Sequence, residues 1–305
     1  MLTAVIVCFV SWSDAGYVFT DLVTHIFYLG ALATLILYLR LATSWSKLIL
    51  LWCRMDKVMN NVYGYPKGLD KRLRIVSATF LILSTTDYSL SVLNRYTNLK
   101  TKLGKGYSMQ KYYEETFPQL YRSVPFNIFS DFSQVHGTLL WALNDLFIIL
   151  MSIPLAFEFH LKGHNFWIEI REDYDRLSIL CKELDSHISY IVLLSFSLNT
   201  FFLLVQLYHS LETVTGFIGR FYFVFSFVYL IIKVVSVSLY AAWINDESIG
   251  LASILNSVPS ASYNVEIRRL LLQISFDKVA LTGCRMFKIT RGIILSIAGA
   301  IVTYL

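Results

Sequence analysis

Polar side chains lie within several long apolar stretches of this chain, and their types could bind a hydroxylated ligand. Asp87 lies late in one such stretch. Trp141, Asn144 and Asp145 lie early in another, at positions i, i+3 and i+4, which share one face of a helix. Carboxylates and amides form hydrogen bonds with hydroxyl groups, and aromatic rings pack against the C–H face of a sugar. This combination is typical of a sugar-binding pocket.

Further polar residues in other apolar stretches are predicted to lie at the same depth, and two pairs repeat at a seven-residue spacing. They are Asn199 and Gln206, Tyr222 and Tyr229, and His25 and Tyr28. Polar groups inside a membrane are costly and usually face a cavity or another helix. Hydrogen bonds that only hold helices together remain an alternative for each residue. The grouping at one depth, in the predicted outer half, favours a pocket for an extracellular ligand.

One cation lies inside an apolar stretch. Lys233 is predicted near mid-membrane, where it must pair, and Asp145 and Asp87 are the nearest candidates by depth. A structural ion pair and a gating element both remain open for it. Asp246 and Glu247, just past the end of the same stretch, are expected to cap a helix or to pair with basic neighbours.

The composition predicts an all-α, polytopic membrane helix bundle. The chain has 305 residues, of which 56% are hydrophobic and 15% charged, and its mean hydropathy is +0.57. Soluble domains carry about 25% charged residues, so the deficit indicates contact with membrane lipid. Basic loops on one membrane face explain the formal charge of +5, and no nucleic-acid partner is needed.

No motif in the sequence indicates an enzyme, a metal or a cofactor. The four cysteines are scattered singly, without a C-x-x-C pair, and the six histidines show no ligand spacing. The chain contains no G-x-G-x-x-G, P-loop or nucleophile-elbow pattern. We therefore expect a protein that is not an enzyme and has no cofactor.

Hydropathy predicts one transmembrane domain over residues 1–305. The last span is amphipathic up to Arg291 and apolar afterwards, and about 14 residues follow that arginine, fewer than the roughly 20 that cross a bilayer. The last span is therefore expected to be partial. The first span is also expected to be partial, because residues 1–12 make only about half of a span. The predicted spans are residues 1–12, 19–41, 75–93, 135–159, 188–208, 221–243 and 273–305.

The distribution of basic residues predicts the orientation. Loops on one side hold 18 lysines and arginines and loops on the other side hold 7, so the first side is expected to be cytoplasmic, together with the N-terminus. The outer loop 95–134, rich in tyrosine and phenylalanine, is expected to fold as a lid. The charged run 171–189, with Glu172 four residues before Arg176, is predicted to extend the fifth span as a helix.

The last part of the chain resembles a known family. SVSLYAAWINDES, followed by VPSASYNVEIRRLLLQISFDKVALTGCRMFKITRGIILSIAGAIVTY, is similar to the C-terminal part of insect gustatory receptors, within the sugar receptor clade. LRLATSWSKLI, FPQLYRSVPF and REDYDRLSILCKELDSHISYIVLLSF agree with this resemblance. The likeness extends over nearly the whole chain and is most specific in the last sixty residues.

The resemblance implies a seven-helix chemoreceptor bundle, with the first and last helices incomplete here. Such subunits would assemble as a tetramer, homomeric or with other gustatory receptor subunits, in the plasma membrane of a taste neuron dendrite. The seventh helices would line a shared cation pore. Thr303 and Tyr304 match the start of the Thr-Tyr, apolar run, Gln-Phe hallmark of the last helix, whose Gln-Phe end is absent from this sequence.

The same resemblance extends to the site. Asp87 matches an acidic position in the third helix of the clade, and Trp141 and Asp145 match a Trp and an Asp in its fourth helix. Further residues that fall on clade positions are Asn199, Gln206, Tyr222 and Tyr229.

The resulting hypothesis is a sugar-sensing subunit of a ligand-gated, nonselective cation channel. A metabotropic taste receptor that signals through G proteins is the first alternative, and the predicted cytoplasmic N-terminus argues against it. A non-conducting truncated fragment of the channel is the second.

Overall fold

The computed structural model describes residues 19–104, 124–159, 167–210 and 216–303 of the chain. The predicted first span at residues 1–12, residues 105–123 of the predicted outer loop, and Tyr304 lie outside these ranges. Five long helices are each apolar and long enough to cross a membrane, as expected for a polytopic bundle. They are α1 (Phe19–Tyr63), α2 (Leu69–Leu103), α3 (Val124–Glu158), α4 (Trp167–Ser210) and α5 (Phe217–Asn256).

Shorter elements follow α5. They are a 3-10 turn (Ser260–Ser262), α6 (Val265–Phe276), strands β1 (Thr282–Gly283) and β2 (Phe287–Lys288), and α7 (Arg291–Thr303). Asn264 caps the start of α6 by accepting a hydrogen bond from the Ile267 amide at 3.0 Å. β1 and β2 pair antiparallel, with Thr282 opposite Lys288 and Gly283 opposite Phe287.

Several helices continue well beyond the predicted spans because their apolar stripes continue. In α1, Leu41, Leu48, Met55 and Met59 are buried at spacings of seven, seven and four residues. This stripe makes residues 42–63, expected as a loop, the second half of a helix of 45 residues. Its length of about 68 Å exceeds the roughly 30 Å hydrocarbon core of a bilayer.

The predicted helical extension before the fifth span is confirmed. α4 runs without a break through residues 171–189, and one face of this part is buried along its whole length. Glu172 and Arg176 form the expected ion pair at 3.8 Å. The buried face comprises Ile170, Tyr174, Leu177, Cys181, Leu184 and Ile188.

The described chain divides into two compact units, and all five long helices contribute to both. Unit 1 comprises the described parts of Met1–Ile36, Ala78–Asn144 and Ser197–Lys233. Unit 2 comprises the described parts of Leu37–Ser77, Asp145–Phe196 and Val234–Leu305. Each unit has its own polar contacts.

Residues 273–305 are not the single continuous helix that their hydropathy suggests. α6 ends at Phe276, because Asp277 adopts a non-helical backbone conformation and its carboxylate bonds to Ser178 and Lys182 of α4. The hairpin β1–β2 follows, and only then α7. Gly283 is required within the hairpin, since a Cβ there would lie 2.3 Å from the Phe287 ring.

Candidate ligand-binding site

Trp141 of α3 lies at the centre of a group of polar side chains in unit 1. Its indole Nε1 donates a hydrogen bond to Asn199 Oδ1 of α4 at 2.9 Å. Its ring packs on Phe202, with 4.7 Å between the centroids. Asn199 and Phe202 are three residues apart, so one face of α4 supplies both contacts. The indole is thereby fixed at both its polar edge and its ring.

A buried cation lies against the same indole. The Lys233 Nζ of α5 is 3.5 Å from the centre of the Trp141 ring, and Lys233 is only 2% exposed. A desolvated cation–π contact contributes about 2 kcal/mol or more. A buried ammonium needs such compensation because the loss of hydration is costly.

Asp87 of α2 joins this group from another side. Its carboxyl lies close to the Ser226 hydroxyl of α5 and within range of the Lys233 charge, as expected for one of the two predicted partners of that lysine. Gln206 Nε2 of α4 donates to Ser226 Oγ at 3.4 Å. These contacts define the polar cluster, whose members all belong to unit 1: Asp87, Trp141, Asn199, Gln206, Ser226 and Lys233.

Two polar groups in unit 1 retain hydrogen-bonding capacity. Asn144 is 1% exposed, and neither its Oδ1 nor its Nδ2 meets a hydrogen-bond partner within the described residues. The buried Asp87 Oδ1 likewise has none in that part of the chain. An unpaired buried polar group costs about 1–3 kcal/mol. Asn144 follows Trp141 by three residues on α3, hence on the same face.

The remaining predicted residues of unit 1 lie on α1 and α5. Tyr229 of α5 is buried, and Tyr222, seven residues earlier on the same face, is half-buried. His25 and Tyr28 of α1 are both buried.

Asp145 belongs to unit 2 rather than to the unit that holds the cluster. It is completely buried and accepts a hydrogen bond from the Ser195 hydroxyl of α4. Although Asp145 follows Trp141 by one helical turn, its described contact is with this serine. Thr303, near the end of α7, is exposed and donates to its own helix at Gly299 O, 2.8 Å away.

Sequence reasoning missed three residues at or beside these sites: Phe202, Ser226 and Ser195. The spacing could have found two of them. Phe202 follows Asn199 by three residues, and Ser226 precedes Lys233 by seven, so both lie on faces already marked by a polar residue. Ser195 precedes Asn199 by four residues and so lies on its face as well, but the signal is weak because serine is common and its hydroxyl can bond within its own helix.

Other sequence expectations fall in unit 2. Asp246 pairs with a basic residue, as expected: Arg291 Nε at the start of α7 lies 2.6 Å from its Oδ2. Glu247 accepts a hydrogen bond from Trp243 Nε1 at 2.8 Å. Within residues 19–104, 124–159, 167–210 and 216–303, no group of three or more His, Cys, Asp or Glu side chains could hold a metal ion.

These helices define a polytopic helical membrane protein. A family model described as "Trehalose receptor" matches residues 2–305. The chain therefore belongs to the trehalose receptor family, which confirms the predicted resemblance to insect sugar gustatory receptors. The family is one of receptors and not of enzymes, as expected from the sequence.

Curated relatives support the same assignment. The chain is 32% identical over 307 residues to the gustatory receptor for sugar taste 64f of Drosophila melanogaster, covering 94% of this chain and 65% of that protein. It is 26% identical over 289 residues to the gustatory receptor 5a for trehalose of the same species, covering 88% and 64%. The chain thus spans somewhat less than two thirds of the length of these two relatives.

Solved structures confirm the fold. The insect olfactory receptor OR5 from Machilis hrabei in complex with eugenol matches with a TM-score of 0.69 at 14% identity, over 99% of this chain and 86% of that chain. A second structure of the same receptor matches with a TM-score of 0.66 at 16% identity. The predicted all-α, polytopic membrane bundle is therefore correct.

Proposed function

We propose that this chain is a sugar-sensing subunit of a ligand-gated, nonselective cation channel. The observation that carries the proposal is the polar cluster of unit 1 together with the adjacent Asn144. Its amides, its carboxyl and its indole match a ligand rich in hydroxyl groups. An apolar ligand would leave the Asn144 amide and Asp87 Oδ1 unpaired, at a cost of about 1–3 kcal/mol for each group.

Within this proposal the residues have different roles. Asp87 and Asn144 bind sugar hydroxyls directly, since both retain hydrogen-bonding capacity. Trp141 holds Asn199 and Lys233 in position and adds aromatic surface. The contacts with the ligand are completed by four further residues of unit 1: Asn199, Gln206, Tyr222 and Tyr229.

Asp145 has a positioning role in this account. Its Oδ1 already accepts a hydrogen bond from Ser195, which orders the two helices that also carry Trp141 and Asn199. Its replacement by alanine is expected to abolish sugar responses while the protein still reaches the cell surface. A wild-type dose–response in that variant would show that the carboxyl is not involved.

The proposed pore element is α7. Its apolar sequence RGIILSIAGAIVT carries Thr303 near its end, and Tyr304 follows. In a homo- or heterotetramer with other gustatory receptor subunits, four such helices would surround the pore, and opening would widen an apolar constriction. The proposed location is the plasma membrane of taste neuron dendrites, with the N-terminus in the cytoplasm.

Whole-cell recording tests the proposal. Cells that express the chain are exposed to a panel of mono- and disaccharides, with G-protein signalling blocked by a nonhydrolysable GDP analogue in the pipette. A sugar-evoked cation current that persists under the block is expected. Current that disappears under the block would favour the metabotropic alternative, and surface-expressed protein without any sugar-evoked current would contradict the channel proposal.

A further inference from the structure

The connector between α6 and α7 contains a strained turn. Residues Cys284 and Arg285, at the tip of hairpin β1–β2, have φ values of 53° and 60°. Met286 N donates to Gly283 O at 3.0 Å, which closes a two-residue turn. Positive φ at both central positions normally calls for Asn-Gly, and other side chains are disfavoured there. Such a turn persists only where its surroundings hold it.

Asp185 of α4 holds this hairpin through both of its carboxylate oxygens. Oδ1 accepts from the Thr282 amide at 2.6 Å, and Oδ2 accepts from the Thr282 hydroxyl at 2.8 Å. The same hydroxyl accepts from the Arg285 amide at 3.1 Å, inside the strained turn. Ser189 O, one turn further along α4, accepts from the Cys284 amide at 3.2 Å.

Aromatic packing seats the hairpin on the same helix. The Phe287 ring lies over Gly283 and meets Phe196 of α4 edge-on, with 5.7 Å between the centroids. Ile289 N then donates to Leu281 O at 2.9 Å, and α7 begins at Arg291. Only Ile289 and Thr290 separate β2 from α7. The position of the hairpin on α4 therefore determines where α7 starts.

We propose that Asp185 and Thr282 form a hairpin latch that sets the position of α7. The strained turn is disfavoured by itself, and the latch holds it in the present arrangement. Release of the latch would free the start of α7 and shift the balance between closed and open channels. Asp185 and Thr282 are thus positioning residues, and the effect on gating rests on the proposed function of α7 as the pore element.

A matched pair of variants isolates the latch. Thr282→Val removes the hydroxyl, and with it the bonds to Asp185 Oδ2 and from the Arg285 amide, while the side-chain shape changes little. Thr282→Ser keeps the hydroxyl and serves as the control. Asp185→Asn is the second test variant, because an amide cannot accept at both positions. If Thr282→Val fails to reach the membrane, Asp185→Asn supplies the result.

The rate at which Cys284 is alkylated reports whether the latch is intact, and this measurement does not require any current. Membranes with full-length protein are treated with a thiol reagent, and labelling at each cysteine is followed by mass spectrometry. Cys284 is half-buried, and the exposed Cys53 serves as the internal reference. Thr282→Val is expected to label Cys284 about tenfold faster than wild type, and Thr282→Ser within about twofold. Equal labelling of Thr282→Val and wild type would overturn the latch.

Whole-cell recording in the same variants measures the effect of the latch on the channel. Thr282→Val is expected to raise the ligand-independent fraction of the current about tenfold, and Thr282→Ser to leave it unchanged. Faster labelling with an unchanged ligand-independent fraction would overturn the role in gating. If the wild type itself passes no current, the proposed function fails, and the labelling result alone decides whether the latch exists.

Discussion

The polar cluster of unit 1 and the hairpin of unit 2 use buried polar groups in opposite ways. In the hairpin, both carboxylate oxygens of Asp185 and the hydroxyl of Thr282 are fully engaged with each other and with the backbone. Beside the cluster, the Asn144 amide and Asp87 Oδ1 have no hydrogen-bond partner in the described part of the chain. A satisfied polar network specifies one structure, whereas an unsatisfied buried group can gain hydrogen bonds from a ligand. This difference distinguishes the scaffold from the proposed site.

The largest expected effect is that of removing the indole at the centre of the cluster. Trp141→Ala deletes the cation–π contact with Lys233 and the hydrogen bond to Asn199, together about 3 kcal/mol. The half-maximal sugar concentration should rise about 100-fold. Dose–response recording measures it, normalised to surface protein. Trp141→Phe, which keeps a ring under Lys233, should show a smaller rise of about tenfold. An unchanged dose–response in Trp141→Ala would show that the cluster does not bind the ligand.

A pair of amide substitutions tests the contrast between satisfied and unsatisfied groups directly. Asn199→Leu breaks the bond from Trp141 Nε1 and should lower the free energy of unfolding by about 1–3 kcal/mol. Asn144→Leu removes an amide without a described partner, so stability should be unchanged or should rise by up to about that amount. Thermal melting of the purified protein without sugar measures both. Equal destabilisation by the two substitutions would mean that Asn144 is part of the scaffold.

The pH dependence of unit 2 offers a smaller effect. Burial by itself would raise the pKa of the Asp277 carboxyl, but hydrogen bonds from Lys182 and Ser178 and the charges of Lys182 and Lys288 hold it below its usual value. A depressed pKa gives stability that is present above about pH 4 and is lost as the pH falls through the folded-state value.

The corresponding variant is Asp277→Asn, which should lower the free energy of unfolding near neutral pH by at most about 1 kcal/mol, because the ion pair with Lys182 is partly exposed. Melting curves between about pH 3 and 7 should show a weaker acid dependence than in the wild type. Glu183→Gln is the control, because Glu183 is an exposed carboxylate on α4 next to Lys182. Identical pH profiles of wild type and Asp277→Asn would contradict this account.

The smallest effect is expected at the turn. Arg285→Gly relieves the positive φ at the second turn position, while glycine also gains freedom in the unfolded chain. We expect a net stabilisation of about 0.5 kcal/mol in thermal melting. Arg285→Ala removes the same side chain without relieving the backbone and should not stabilise. Equal melting temperatures of the two variants would show that the turn is not strained.

Much of this architecture could be predicted from the sequence, because composition and apolar periodicity determine it. The shortage of charge indicated a membrane bundle, and the pairing of Glu172 with Arg176 indicated that α4 would extend. Depth alone suggested that Lys233 would pair with Asp145 or Asp87, and Asp87 lies within range of its charge. These features depend on local spacing, which a sequence displays directly.

The hairpin and the bond between Asp145 and Ser195 could not be predicted in the same way. Residues 277–290 continue an amphipathic pattern, and the turn at Cys284 and Arg285 lacks the Asn-Gly pair that marks such hairpins. Contacts with α4, about 97 residues earlier in the chain, create the hairpin. Asp145 shares a helical face with Trp141, but its bond with Ser195 depends on how α3 packs against α4. Such long-range pairings are not visible in local spacing.

The most direct test of the central claim is sugar binding to the purified protein. Calorimetric titration with the sugar that evokes the largest current should give binding to the wild type. In Asn144→Leu the affinity should fall at least tenfold, although this variant melts at or above the wild-type temperature. Equal affinity in the two proteins would place the ligand elsewhere and contradict the account.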